Sequence, residues 1–182
     1  MDTKSEKRLE RIKNTIRTYV NFPKEGIVFR DVFPLFQDPS VLEDVMALFE
    51  EHIRSLAPPK VGAIIGLESR GFLFGPTLAL RLGLPFVPVR KAGKLPGKVV
   101  SAAYQLEYGS DRFELQESSI TPAGLPVVIV DDLLATGGSL KTAIKLVEQC
   151  GGTVRSAAVV IELADLAGRK QVSSPVFALV QY

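Results

Sequence analysis

From residue 60 onward the chain alternates short apolar, β-branched runs with stretches of helical periodicity, and this alternation restricts its fold more than any other feature. Residues 61–65 read as a continuous apolar strand, and 86–90, 127–130, 154–161 and 176–180 as further strands of mainly apolar residues. Residues 72–82 and 139–149 read as helices closed by Gly83 and Gly151. Uninterrupted apolar strands belong to a parallel sheet covered on both faces. The expected class is therefore α/β: a doubly wound, mainly parallel sheet flanked by helices.

Two regions depart from the alternation. Near the N-terminus, Thr3-x-x-Glu6 and Ser40-x-x-Glu43 have the form of capping boxes. Apolar stripes at helical spacing follow each, first Leu9, Ile12, Ile16 and Tyr19, then Leu42, Val45, Met46, Phe49 and Ile53. Between them Pro23, Gly26, Pro34 and Pro39 break the chain, predicting an ordered loop over residues 21–39. The second region is residues 91–124, where Tyr104, Leu106 and Tyr108 alternate with polar residues ahead of Phe113 and Leu115. That pattern predicts a small antiparallel flap hanging off the sheet. One domain, 1–182, is expected, with an N-terminal hood over about 1–36 and a flap over about 91–124.

Composition removes several classes. At 182 residues, roughly 70% of the unfolded surface is expected to be buried on folding, so neither disulfides nor a structural metal are needed. With 46% hydrophobic and 23% charged residues, the chain is neither disordered nor collagenous. No apolar run reaches about 18 residues, so no membrane partner is expected. The first 20 residues have no apolar block followed by small residues, which makes the cytoplasm the default compartment. Cys150 and His52 are each the only residue of their type and cannot complete a zinc ligand set; Cys150 reads as a small buried hydrophobe, His52 as a surface or packing residue. A net charge of +2 argues against a nucleic-acid partner. Arg81, Arg90, Lys91, Lys94 and Lys98, however, form a run without an acid. It reads either as a solvated basic loop or as a site for a polyanionic small molecule.

The sharpest motif is residues 127–139, VVIVDDLLATGGS: an apolar strand, two carboxylates, a small-residue loop and a helix start. In an open parallel sheet, ligands bind beyond the carboxyl ends of the strands, where Asp131 and Asp132 stand. Ala135, Thr136, Gly137, Gly138 and Ser139 supply close backbone approach, hydroxyls and a helix N-terminus suited to a phosphate. The acids would repel a polyphosphate, so their partners are hydroxyls or a substrate-borne metal. A sugar phosphate fits both halves. The alternative is an acidic turn with Asp132 capping the helix. No G-x-G-x-x-G follows a strand, and Phe72 stands where a P-loop needs lysine after Gly66 and Gly71.

Residues 127–139 resemble the phosphoribosyl pyrophosphate (PRPP) motif of the type I phosphoribosyltransferase family. Three further segments narrow the resemblance to its adenine-specific members: GIVFRD at 26–31, GLESRGFLFGP at 66–76, and RKAGKLPG at 90–97 with YQLEYG at 104–109. It extends from about residue 10 to Gln181 and Tyr182. The implied activity is purine salvage by transfer of the phosphoribosyl group of PRPP to adenine, giving AMP and pyrophosphate, with Mg²⁺ bound mainly through PRPP and a homodimer as the assembly.

The resemblance also implies roles. Asp131 and Asp132 hold the ribose hydroxyls, and Ala135 to Ser139 the 5′-phosphate. Glu68, Ser69 and Arg70 form the pyrophosphate loop, in which the peptide before Ser69 is commonly cis, and Arg90, Lys91 and Lys94 add positive charge, in part across the dimer. Phe29 stacks on adenine, Val28 and Arg30 read its edge, and Leu163 closes the other face. Glu107, beside Tyr108 on the flap, manages the base proton, with Arg70 and the two aspartates counted with it as catalytic. Departures are small: Ser139 replaces a common Thr, Glu68 an occasional Asp, and Ala92 a third cation. Two other readings stay open, another base such as hypoxanthine or guanine in the same reaction, and a sensor that keeps the fold; the second would predict an added helix-turn-helix or basic reading face.

Overall fold

The computed structural model describes residues 3–105 and 110–182. It divides into two compact units, Met1–Phe49 and Glu50–Tyr182.

In the first unit, helix α1 (Thr3–Thr15) precedes a hairpin of β1 (Arg17–Val20) and β2 (Val28–Asp31), then α2 (Pro34–Gln37) and the start of α3 (Pro39–Ser55). Arg8 and Arg11 on α1 both pair with the buried Asp44 on α3. Two expectations are corrected here. Tyr19 does not extend the α1 stripe, because the chain turns extended after Thr15 and Tyr19 pairs with Phe29 across the hairpin. This short hairpin and α2 also replace part of the expected loop; four-residue strands are too short to display a period. The cap of α3 is Asp38, not Ser40. Its Oδ1 accepts from the Ser40 N–H at 2.9 Å and from the Ser40 hydroxyl at 2.7 Å, so that hydroxyl is already spent as a donor.

The second unit carries β3 (Ala63–Leu67), α4 (Gly71–Leu82), β4 (Phe86–Lys91), β5 (Val99–Gln105), β6 (Ser110–Gln116), β7 (Pro126–Leu134), α5 (Gly138–Gln149), β8 (Thr153–Glu162) and β9 (Val176–Gln181). They form one seven-stranded sheet ordered β5-β6-β4-β3-β7-β8-β9. Strands β4, β3, β7, β8 and β9 are mutually parallel, and β5 and β6 run antiparallel at one edge. All five residues of β3 are buried, as uninterrupted apolar runs require when both faces are covered. Gly83, left-handed at φ 67°, closes α4, its N–H reaching the carbonyls of Ala79 and Leu80.

The antiparallel ribbon of β5 and β6 is attached at the edge of the sheet. Arg90 and Lys91 of β4 pair with Glu114 and Phe113 of β6, so the ribbon continues the sheet and buries Phe113 and Leu115 in its core. Strand β7 is also longer than its apolar run, because pairing with β8 continues from Asp131↔Val159 to Leu134↔Glu162. Both acids thus lie on a strand instead of in a turn. Since β3 leads to β4 on one side and neighbours β7 on the other, the strand order reverses between β3 and β7. A ligand crevice is expected at that switch point.

Candidate functional site

Beyond Leu67 the chain turns through Glu68, Ser69 and Arg70 into α4, with a cis peptide between Glu68 and Ser69. Gly71 lets this helix seat against β7: a Cβ there would stand 2.6 Å from the Val130 carbonyl oxygen and 3.3 Å from Asp131 Oδ1. The close fit aims Arg70 at the acids. Its Nε donates to Asp132 Oδ2 at 2.5 Å.

The two aspartates sit in different surroundings. Asp132 is 5% exposed, is paired with Arg70, and donates its backbone N–H to Asp131 Oδ1 at 3.0 Å. Asp131 makes no ion pair among the described residues and feels Arg70 only through space. Desolvation, and then the negative charge of Asp132, raise its carboxyl well above the usual carboxylate range. The pair therefore presents one arginine-held carboxylate beside one, Asp131, whose neutral form is favoured by burial.

Past Leu134, residues 135–137 lead into α5. Gly137 at φ 88° starts that helix, and no side chain among the described residues caps it. Free N–H groups of a twelve-residue helix, with its dipole, favour an anion at this end. A small cavity of about 170 Å³ runs along residues 132–140, and Ser139 faces both this cavity and a larger one.

The larger cavity, about 460 Å³, joins Glu68, Ser69 and Arg70 to Lys91, Lys94 and the aspartates. Glu68 is its hub. It accepts from Arg90 Nε at 3.1 Å, from the Lys91 N–H at 3.1 Å and from Lys94 Nζ at 2.9 Å. Burial by itself would raise this carboxyl, but these bonds outweigh it and bring the pKa down to about 2. Lys91 pairs with Asp111 on β6 at 3.3 Å, and Arg81 with Glu50 at 2.9 Å. The basic run, free of acids in sequence, is thus partly neutralised by acids from elsewhere in the chain.

Arg70, Asp131, Asp132, Glu68, Ser69, Lys91, Lys94 and Ser139 meet at the larger cavity, while Ala135, Thr136, Gly137 and Gly138 line the smaller. Val28, Phe29 and Arg30 lie on β2 of the first unit, where Phe22 packs edge-on against Phe29 at 5.1 Å and Arg30 donates to Thr18 Oγ1. Leu163 follows β8 in the second unit, its N–H donating to the Leu134 carbonyl at 2.9 Å. Glu107 and Tyr108 lie outside the described residues. Sequence reasoning misses Phe113, which walls the larger cavity, and Asp111; the alternation across 113–115 is the available signal for Phe113.

A doubly wound sheet with a ligand cavity at its switch point defines the class to which fold and site assign this protein. Residues 34–181 match the phosphoribosyl transferase domain family. An adenine phosphoribosyltransferase of Drosophila pseudoobscura is 52% identical over 178 residues, 98% of this chain and 97% of that protein. Adenine phosphoribosyltransferase 1 of Saccharomyces cerevisiae is 50% identical over 172 residues, 94% and 91% of the two chains. A crystal structure of the Saccharomyces cerevisiae adenine phosphoribosyltransferase, complexed with D-2,5-dideoxy-2,5-imino-altritol 1,6-bisphosphate and adenine, superposes with a TM-score of 0.93 at 48% identity, covering 96% of this chain and 99% of that one. The chain belongs to the phosphoribosyltransferases and, among them, to the adenine phosphoribosyltransferase family.

Proposed function

We infer that the protein transfers the phosphoribosyl group of PRPP to adenine, forming AMP and pyrophosphate in purine salvage. The observation that carries this is the meeting, at one switch point, of a carboxylate pair, an uncapped helix N-terminus and a carboxylate-ordered cluster of cations. Adenine bound to the related yeast enzyme supports the choice of base.

In this reading the 5′-phosphate lies at residues 135–139 and the ribose hydroxyls on Asp131 and Asp132. Cleavage of the bond from ribose C1 to the pyrophosphate oxygen develops positive charge on the sugar and negative charge on the leaving group. The carboxylates stabilise the first, and Arg70, Arg90, Lys91 and Lys94 the second. The adenine nitrogen that bonds to C1 loses its proton to Glu107 on the flap, residues 91–124, beside Tyr108. Phe29 stacks on the base, with Val28 and Arg30 at its edge and Leu163 on the other face, under a hood of residues 1–36 within a single domain, 1–182.

No group of three or more His, Cys, Asp or Glu side chains converges among the described residues, and Mg²⁺ would be held mainly by oxygens of PRPP, with no direct protein ligand. When bound, that ion supplies positive charge against the pyrophosphate. A homodimer and the cytoplasm complete the reading; no helix among the described residues is long and apolar enough to cross a membrane. The test is AMP formation from adenine, PRPP and Mg²⁺, with hypoxanthine and guanine as competitors. Turnover of adenine in preference to both is expected, and no turnover of any purine would overturn the reading.

A further inference from the structure

Behind the phosphate loop lies a segment with no part in the chemistry above. After β8 the chain makes one 3-10 turn at Ala164–Leu166, passes Ala167 in the left-handed region at φ 50°, and makes a second turn at Gly168–Gln171. A side chain with a Cβ disfavours that region, so the surroundings must enforce it.

What enforces it is close backbone packing. A Cβ on Gly168 would overlap the Ala135 carbonyl oxygen and stand 2.8 Å from the Gly137 nitrogen, and a Cβ on Gly137 would overlap the Gly168 carbonyl. The two glycines face each other main chain to main chain. Lys141 Nζ on α5 adds a bond to Gln171 Oε1 at 3.4 Å.

The segment is also anchored to the sheet. Arg169 donates through Nε to Glu162 Oε1 at 2.9 Å, through a second nitrogen to Oε2, and through the third to the Val176 carbonyl at 2.6 Å. Gln181 Nε2 donates to Glu162 Oε2 at 2.9 Å. Glu162 is 6% exposed, and both of its oxygens are committed to this network. Arg169 itself is 44% exposed, so the ion pair is weak evidence of stability alone. Its geometry points to positioning instead, since a two-pronged arginine fixes the direction of its own backbone, and Gly168 is the preceding residue.

We propose that Glu162, Arg169 and Gly168 form a latch that presses Ala135 and Gly137 into the shape that binds the 5′-phosphate of PRPP. The inference rests on the assignment of residues 135–139 to that phosphate, and it makes the three latch residues positioning residues that never touch substrate. Its signature is one-sided. The pyrophosphate end, ordered by Glu68, Arg90 and Lys94, does not depend on the latch.

The test compares wild type with G168A, R169M and R169K. Calorimetry gives the affinities for AMP and for pyrophosphate, and steady-state kinetics gives KM for PRPP and for adenine. G168A and R169M should weaken AMP and raise the PRPP KM about tenfold or more, with pyrophosphate affinity and adenine KM within about twofold of wild type. R169K should recover part of the loss, since an ammonium can reach one carboxylate oxygen but not make the fork. Should G168A fail to show a cooperative melt, the two Arg169 variants decide, because they keep the glycine contact. Equal loss of AMP and pyrophosphate, or no loss of either, would overturn the latch. Failure of wild type to bind AMP would instead overturn the assignment of the loop, and the latch with it.

Discussion

Glu68→Gln removes one charge and almost no volume from the hub of the cavity. The carboxylate titrates at about 2 in the folded protein against an ordinary 4.5, a difference worth about 3 kcal/mol at neutral pH. Two of its partners are partly solvated, with Arg90 33% and Lys94 48% exposed, so screening reduces the figure to about 1–2 kcal/mol. For a chain of 182 residues that corresponds to a fall in Tm of roughly 2–8 °C. Folding lowers this pKa, so the stabilisation is complete above 4.5 and disappears as the pH drops toward about 2. Thermal melts of both proteins by circular dichroism, from pH 7 into acid, should show a constant gap down to about pH 5 that then closes. A missing gap at pH 7, or one that persists unchanged in acid, would refute the account of Glu68 as a cation-held hub.

Asp131→Asn should lower kcat/KM by about a hundredfold while leaving Tm unchanged or higher, because burial and Asp132 already disfavour the charge it removes; a fall in Tm with activity intact would contradict this. Glu107→Ala should reduce kcat with little change in the PRPP KM, as a proton carrier would, and a change confined to KM would assign the residue to binding. His52 stacks on Phe177 at 4.0 Å with Nε2 2.9 Å from Ser156 Oγ, and desolvation lowers its pKa below the ordinary 6.5. Stability carried by the neutral ring is therefore full above pH 6.5 and is lost below it, and H52F should flatten the Tm profile between pH 7 and pH 5.

Legibility follows the length of each pattern. Gly83 marks the end of α4 in sequence as in structure because a left-handed terminus is a local property of one residue. The hairpin at Arg17–Asp31 leaves no sequence signal because its strands are held by pairing with each other, as Tyr19↔Phe29 shows, and not by any period within four residues. Cys150 reads as buried and is half-buried against the core, a matter of where α5 happens to end.

Order along the chain is enough to determine the α/β class and the family motif, since apolar runs, glycines and the VVIVDDLLATGGS stretch all act over a few neighbouring residues. Which charges meet is decided only by the tertiary structure. Glu68 holds Arg90 and Lys94, Arg70 holds Asp132, and Gly168 backs Gly137, each across separations over which sequence carries no period and only the stacking of parallel strands brings the groups within bonding distance. Coulomb and hydrogen-bond energies fall off within a few ångströms, so partners are chosen by the fold and not by the neighbours in the chain.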